Sequence, residues 1–173
     1  MCFYKILSYG EGLFCVATNS SKTDFKIIVD ADSCPVMAIV IKVAQEKSIP
    51  VLAVASISHA LNCQDAGVTV IKVDNVPQAA DIAIVNHVKE GDIVVTGDYG
   101  LASISLSRRG AAVSPRGFIF NGENIDRLLM QRHIDAKIRR SGGRTKGPKS
   151  FTAEDRNNFE ETLRKMIGDG WKN

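Results

Sequence analysis

Ile27-Ile28-Val29-Asp30-Ala31-Asp32-Ser33-Cys34-Pro35 is the stretch from which the fold can be read. Its β-branched apolar run is continuous rather than alternating, the pattern of a strand covered on both faces in a parallel sheet. The run empties onto two carboxylates. Open α/β sheets place ligand-binding groups at such carboxyl ends. A serine and a proline then follow, residue types that open helices. Ile93-Val94-Val95-Thr96-Gly97-Asp98 repeats the arrangement, again an apolar strand ending in an acid.

Working outward, Phe25 to Asp30 is the first strand of the main domain. A helix follows to Lys47, with Ser33 or Cys34 as N-cap, Pro35 at its first position, and Val36, Ile39, Val40 and Val43 on one face. Strands are expected at Val51 to Ala55, Val68 to Val73 and Ile93 to Thr96, with a short fifth at Ala111 to Ser114. Pro77 opens a helix to about Lys89 that carries Asp81, and Asp98 to Arg108 fits another, closed by Gly110. This β-α-β alternation predicts an α/β fold. Its open, mostly parallel five-stranded sheet has right-handed crossovers and helices on both faces. With the first and fourth strands adjacent, Asp30 and Asp98 meet at the switch point of the topology.

Beyond Ser114 the texture changes. Phe118 to Phe120 can serve as an edge strand, and Asn124 to Arg139 as a helix with Ile125, Leu128, Leu129 and Ile138 inward. Residues 140–150 are glycine-rich and basic without periodicity, and read as a flexible loop. Residues 151–173 supply a C-terminal helix on the same domain, with Thr152 as N-cap and Asp155 three residues on. The main domain is therefore assigned to residues 25–139. Residues 1–24 read as an N-terminal extension, either a short hairpin or a disordered leader.

A length of 173 residues suggests one domain with room for a real core, and a net charge of +3 does not by itself argue for a nucleic-acid partner. Cys2, Cys15, Cys34 and Cys63 form no C-x-x-C pair, which fits reduced thiols in a cytoplasmic protein. No apolar run approaches the ~20 residues that span a bilayer. Lys5 and Gly10-Glu11-Gly12 interrupt what a signal-peptide core would need.

The acids carry the chemistry. Asp30, Asp32 and Asp98 at strand ends are hard oxygen donors suited to Mg²⁺ or Mn²⁺. Each also has a plain structural reading, as a helix cap or strand terminator. Asp81 is more telling, since it sits among Ala79, Ala80, Ile82 and Ala83, although a carboxylate also suits a first helical turn. Clustered carboxylates repel unless a cation neutralises them or some stay protonated. Asp74 ends the third strand and is a further candidate. His59 can shuttle protons or touch substrate, or serve only a local hydrogen bond. Cys34 reads as a buried small hydrophobe rather than a nucleophile. Arg116, in a Pro-Arg-Gly turn, can hold a phosphate. The run from Arg132 to Lys149 (Arg132, Lys137, Arg139, Arg140, Arg144, Lys146, Lys149) faces one acid, Asp135. It reads either as a solvated face or as a clamp on phosphates.

With these residues in place, the chain resembles the YaiI/YqxD family of uncharacterised bacterial proteins, grouped with PIN-like nuclease domains. The matching stretches are IIVDADSCPV, VASISH, VIKVDNVPQAADIAIVNHVKEGDIVVTGDYGLA, PRGFIF with NIDRLL, and GPKSFTAEDRNNFEETL. The resemblance implies a PIN-like sheet of order 3-2-1-4-5 and a metal-dependent phosphodiesterase acting on RNA. It implies Asp30, Asp81 and Asp98 as ligands of Mg²⁺ or Mn²⁺, and Asp32 as a further catalytic acid belonging to the family's Asp-Ala-Asp signature. Thr96, Arg116, His59, Arg139, Arg140, Arg144 and Lys146 would contact the phosphate-bearing substrate. The alternative is a non-catalytic RNA-binding module. A third reading makes Asp30 a phosphatase nucleophile of the haloacid-dehalogenase kind. Cys34, where that motif wants Thr or Val, and Ala102, where it wants an acid, speak against it.

Overall fold

The computed structural model describes residues 4–8, 13–17, 24–58, 66–145, 147 and 149–168. Strands β1 (Tyr4–Ser8) and β2 (Leu13–Ala17) pair antiparallel as a two-stranded sheet. The main sheet is built from β3 (Ile27–Asp30), β4 (Val51–Ser56), β5 (Val68–Val73), β6 (Ile93–Val95), β7 (Ala111–Val113) and β8 (Ile119–Phe120). Its order is β5-β4-β3-β6-β7-β8, all parallel except β8. The expected five parallel strands thus stand in the expected order, and a sixth closes the edge. The cause is local: the Gly117 amide donates to the Ser114 carbonyl at 2.9 Å, and this turn folds Ile119 back beside Val113.

Both faces are covered, as the unbroken Ile/Val runs require. Ile27 and Val29 pack on α1 (Met37–Lys47) and α5 (Ala153–Gly168), where Val40, Val43, Phe159 and Leu163 are fully buried. Ile28 and Val94 face the other way, onto Ile84 of α2 (Ala79–His87) and Leu101 of α3 (Tyr99–Ser107). Helix α4 (Gly122–Arg140) continues that layer, seating Ile125 against Ala102, Ala112 and Phe120. Asn121 starts α4 with a capping box closed by Asn124.

Two expectations about helices need correcting. Helix α1 does not open at Pro35. Ala31–Ser33 forms a single 3-10 turn, and Val36 ends up as an N-cap without a side-chain bond. The Ser33 hydroxyl lies in the 3-10 turn ahead of that cap and donates to Asp30 Oδ2 at 2.6 Å. Ile138 is not inward either. At 100° per residue it falls on the outer side of α4 with Met130 and Ile134, all partly solvent-exposed.

One buried acid sets the sheet's register. Asp92, immediately before β6, accepts the backbone amides of Lys26 and Lys89 and pairs with the Lys26 ammonium. It ties the amino ends of β3 and β6 together. Asp30 and Thr96 then emerge side by side at the opposite, carboxyl ends. None of the described helices is long and apolar enough to cross a membrane.

Candidate active site at the carboxyl edge of the sheet

The chain runs from β3 toward β5 on one side and then from β6 toward β8 on the other. That reversal leaves a crevice between β3 and β6, over which helices cannot close. Asp30, the last residue of β3, is 9% exposed. Its Oδ2 accepts from Ser33 Oγ at 2.6 Å and, at 3.5 Å, from Thr96 Oγ1. Thr96 Oγ1 in turn accepts the Asp98 amide at 3.0 Å, so one threonine links the two strand ends.

Asp98 caps α3. Its Oδ1 takes the amides of Gly100 and Leu101 at 2.7 and 3.1 Å, and its Oδ2 takes Arg132 Nη1 at 2.8 Å. The cap reading made from sequence is therefore correct, and it leaves Oδ2 turned outward. Asp81 enters from the first turn of α2. Among the described residues its carboxylate accepts no hydrogen bond. Asp32 behaves differently, accepting the Ser56 amide on both oxygens at 3.1 and 3.0 Å and so fastening the 3-10 turn to the end of β4.

These acids feel one another. Asp30 is held above the ordinary carboxylate range, first by burial and then by the charges of Asp32 and Asp98, against the hydrogen bonds from Ser33 and Thr96. Asp81 is raised by burial and by the charges of Asp98 and Asp30, with Arg132 pulling the other way. Acids raised in the native state stabilise the fold below their unfolded pKa, near 4, and lose that contribution as pH climbs through the folded value. At pH 7 an ionised Asp30 therefore costs stability. Asp30→Asn, which still accepts from Ser33, is expected to melt higher than the wild type at pH 7. Each kcal/mol relieved is worth about 2–4 °C in a chain of this size. The gap should close when the melts are repeated below pH 4, and a variant that melts lower at pH 7 would show Asp30 to be structural.

The chemistry of this donor set suits a hard divalent cation held through one or two carboxylates with water filling the remaining positions. A ready-made cage is absent. Among the described residues no three Asp, Glu, His or Cys side chains stand close enough to enclose a metal. Beside the cluster lies a 330 Å³ cleft whose polar lining is Asp32, Ser56, Asp74, Asn75, Gln78 and Asp81. Gln78, at φ +67°, is a left-handed non-glycine residue on its wall.

The basic candidates are scattered. Arg116 follows β7, its guanidinium bound to the Lys149 and Ser150 carbonyls and to Asp155, and placed over the ring of Phe151. It staples the segment before α5. Arg139 and Arg140 belong to the last turn of α4, with Arg139 donating to Thr145 Oγ1 at 3.1 Å. Arg144 is exposed in the segment that follows. His59 and Lys146 fall outside the described residues. Burial pushes the Cys34 thiol up to about 11, which removes it as a nucleophile. Arg132, read from sequence only as one member of the basic run, is the cation that meets Asp98. Its position one turn beyond the inward Leu128 and Leu129 was the available signal.

Residues 28–169 match the family described as an uncharacterised bacterial YaiI/YqxD family. The chain belongs to that family. YaiI/YqxD relatives include a UPF0178 protein of Bacillus cereus and one of Bacillus thuringiensis subsp. konkukian. Each is 46% identical over 143 residues, covering 82% of this chain and 98% of the relative. A UPF0178 protein of Bacillus anthracis is 45% identical over the same length. No solved structure matches this YaiI/YqxD chain.

Proposed function

We propose that the protein is a metal-dependent phosphodiesterase acting on RNA, with Asp30, Asp81 and Asp98 as the groups that hold Mg²⁺ or Mn²⁺. One observation carries this: carboxylates from three separate elements, Asp30 ending β3, Asp81 in the first turn of α2 and Asp98 capping α3, lie near enough at the switch point to act on one another's charge. A fold does not gather this many carboxylates at one edge for its own stability. The PIN-like resemblance of the motifs points to the same chemistry.

A divalent ion bound there would lower the pKa of water and offset charge on phosphate oxygens. The chain's own residues do the positioning. Ser33 and Thr96 fix the Asp30 carboxylate, and the α3 amides fix Asp98, so neither has to be ordered when substrate arrives. Asp81, without a hydrogen bond among the described residues, is free to turn toward a ligand. Asp32, spent on Ser56, orients the turn that carries Asp30 rather than joining it. Lys137, Arg139, Arg140 and Arg144, at and beyond the end of α4, would track the phosphate backbone.

That exposed basic end of α4 also favours the second reading, a module that binds RNA without cleaving it. Titration calorimetry with MnCl₂ and cleavage of labelled single-stranded RNA test the first. Mn²⁺ binding with cleavage abolished by EDTA is expected. Salt-sensitive RNA binding without Mn²⁺ uptake would replace it by the second.

A further inference from the structure

We infer that Arg132 is the resident counter-cation of this site: it occupies Asp98 Oδ2 until a divalent ion takes that oxygen, and the released guanidinium then meets the substrate phosphate. The inference rests on the metal reading above and adds a residue to it.

Geometry comes first. Asp98 Oδ1 is used up by the Gly100 and Leu101 amides, so Oδ2 is the oxygen through which Asp98 can hold a metal. Arg132 Nη1 sits on that oxygen at 2.8 Å. A metal and this guanidinium therefore compete for one atom. The charge of Arg132 also reaches Asp81, so it acts on the cluster and not on a single partner.

The pair is built to exchange. The Arg132 side chain is 52% exposed and that of Asp98 33%, and such pairs are weak and screened by salt. A doubly charged ion with hard-oxygen preference outcompetes a delocalised monovalent one there. Helix α4 stays in place meanwhile, held by Ile125 and its capping box, so the released side chain remains tethered beside the site. A guanidinium offers five N–H donors in a fork that matches phosphate oxygens. Among the described residues, Arg132 is the cation placed on these acids.

The test uses the full chain and two probes. In calorimetry, Arg132→Ala is expected to bind Mn²⁺ about 2–5-fold more tightly than the wild type, the factor by which loss of an exposed pair frees its partner. In fluorescence anisotropy with labelled single-stranded RNA, and Ca²⁺ in place of Mn²⁺ to hold it uncleaved, the same variant is expected to bind several-fold more weakly. Arg132→Gln keeps the aliphatic stem and should behave alike, which separates charge from packing. Mn²⁺ affinity unchanged or lowered in both variants, with wild-type uptake intact, overturns the inference and leaves the metal reading standing. No Mn²⁺ uptake by any of the three proteins ends the metal reading itself, and the inference with it.

Discussion

Replacing Asp30 and Asp98 together by asparagine is expected to abolish Mn²⁺-dependent RNA cleavage while leaving the chain folded. Asparagine preserves the hydrogen-bonding duties at both positions and gives up only the exposed, weak Asp98–Arg132 pair. At position 98 its amide oxygen still caps α3 by accepting from Gly100 and Leu101, and Asn is as good an N-cap as Asp. At position 30 it still accepts from Ser33 and Thr96. What disappears is two negative charges, one on each side of the crevice between β3 and β6. Losing them removes the charge that would hold a divalent ion, an effect of about 4 kcal/mol or roughly 10³-fold in rate. Circular dichroism should superimpose on the wild type, and the melt at pH 7 should be no lower. Cleavage that survives in the double variant would rule out the metal mechanism. RNA binding that survives while cleavage goes would assign binding to the α4 basic end and chemistry to the acids.

The same two strands explain what was legible from sequence. Ile27–Val29 and Ile93–Val95 are fully apolar because each alternate residue meets a different helix layer, so pattern alone identified central parallel strands. Their neighbours followed from the helices between them, while the strand order was implied by the family resemblance and matches the observed β5-β4-β3-β6-β7. Placement of Asp30 and Asp98 at one edge was equally a matter of topology, whereas Asp81 stood out as a charge among apolar neighbours and as the helical acid of the resemblance. What the pattern could not carry were contacts between residues distant in the chain. Arg132 lies 34 residues from Asp98 within a run of charge that reads as an ordinary solvated face. Arg116 stood out because its turn was visible, but the carbonyl and carboxylate it binds come from a segment more than thirty residues on. Asp32 illustrates a third limit: Asp-x-Asp spacing says where two carboxylates start, not that the second is bound by the amide of Ser56.

Gly117→Ala is expected to be the most damaging single change outside the core, although residue 117 touches none of the candidate site residues of the acid cluster. Gly117 stands at φ +81°, where an L side chain costs about 1–2 kcal/mol. Space is the larger matter. A Cβ there would lie 2.7 Å from the Asn158 carbonyl oxygen and 3.0 Å from the Phe159 nitrogen. These are backbone atoms of α5 and cannot swing aside as a side-chain tip would. Relief requires moving the helix, and with it Phe159 and Leu163, both fully buried against β3 and α1. It also stretches the bond from Thr162 Oγ1 to the Gly117 carbonyl, 3.2 Å in the native chain. Strain and forced repacking together come to roughly 2–5 kcal/mol, or about 4–20 °C in Tm. Gly142→Ala is the matched control. Its φ of +82° is nearly the same, but nothing lies within 4 Å of the added Cβ, so only the backbone cost of about 1–2 kcal/mol applies. The difference between the two melts therefore measures the crowding of α5 alone. Equal losses would mean that α5 does not press on this turn, and that the C-terminal helix contributes less to the β3–α1 core than its buried residues require.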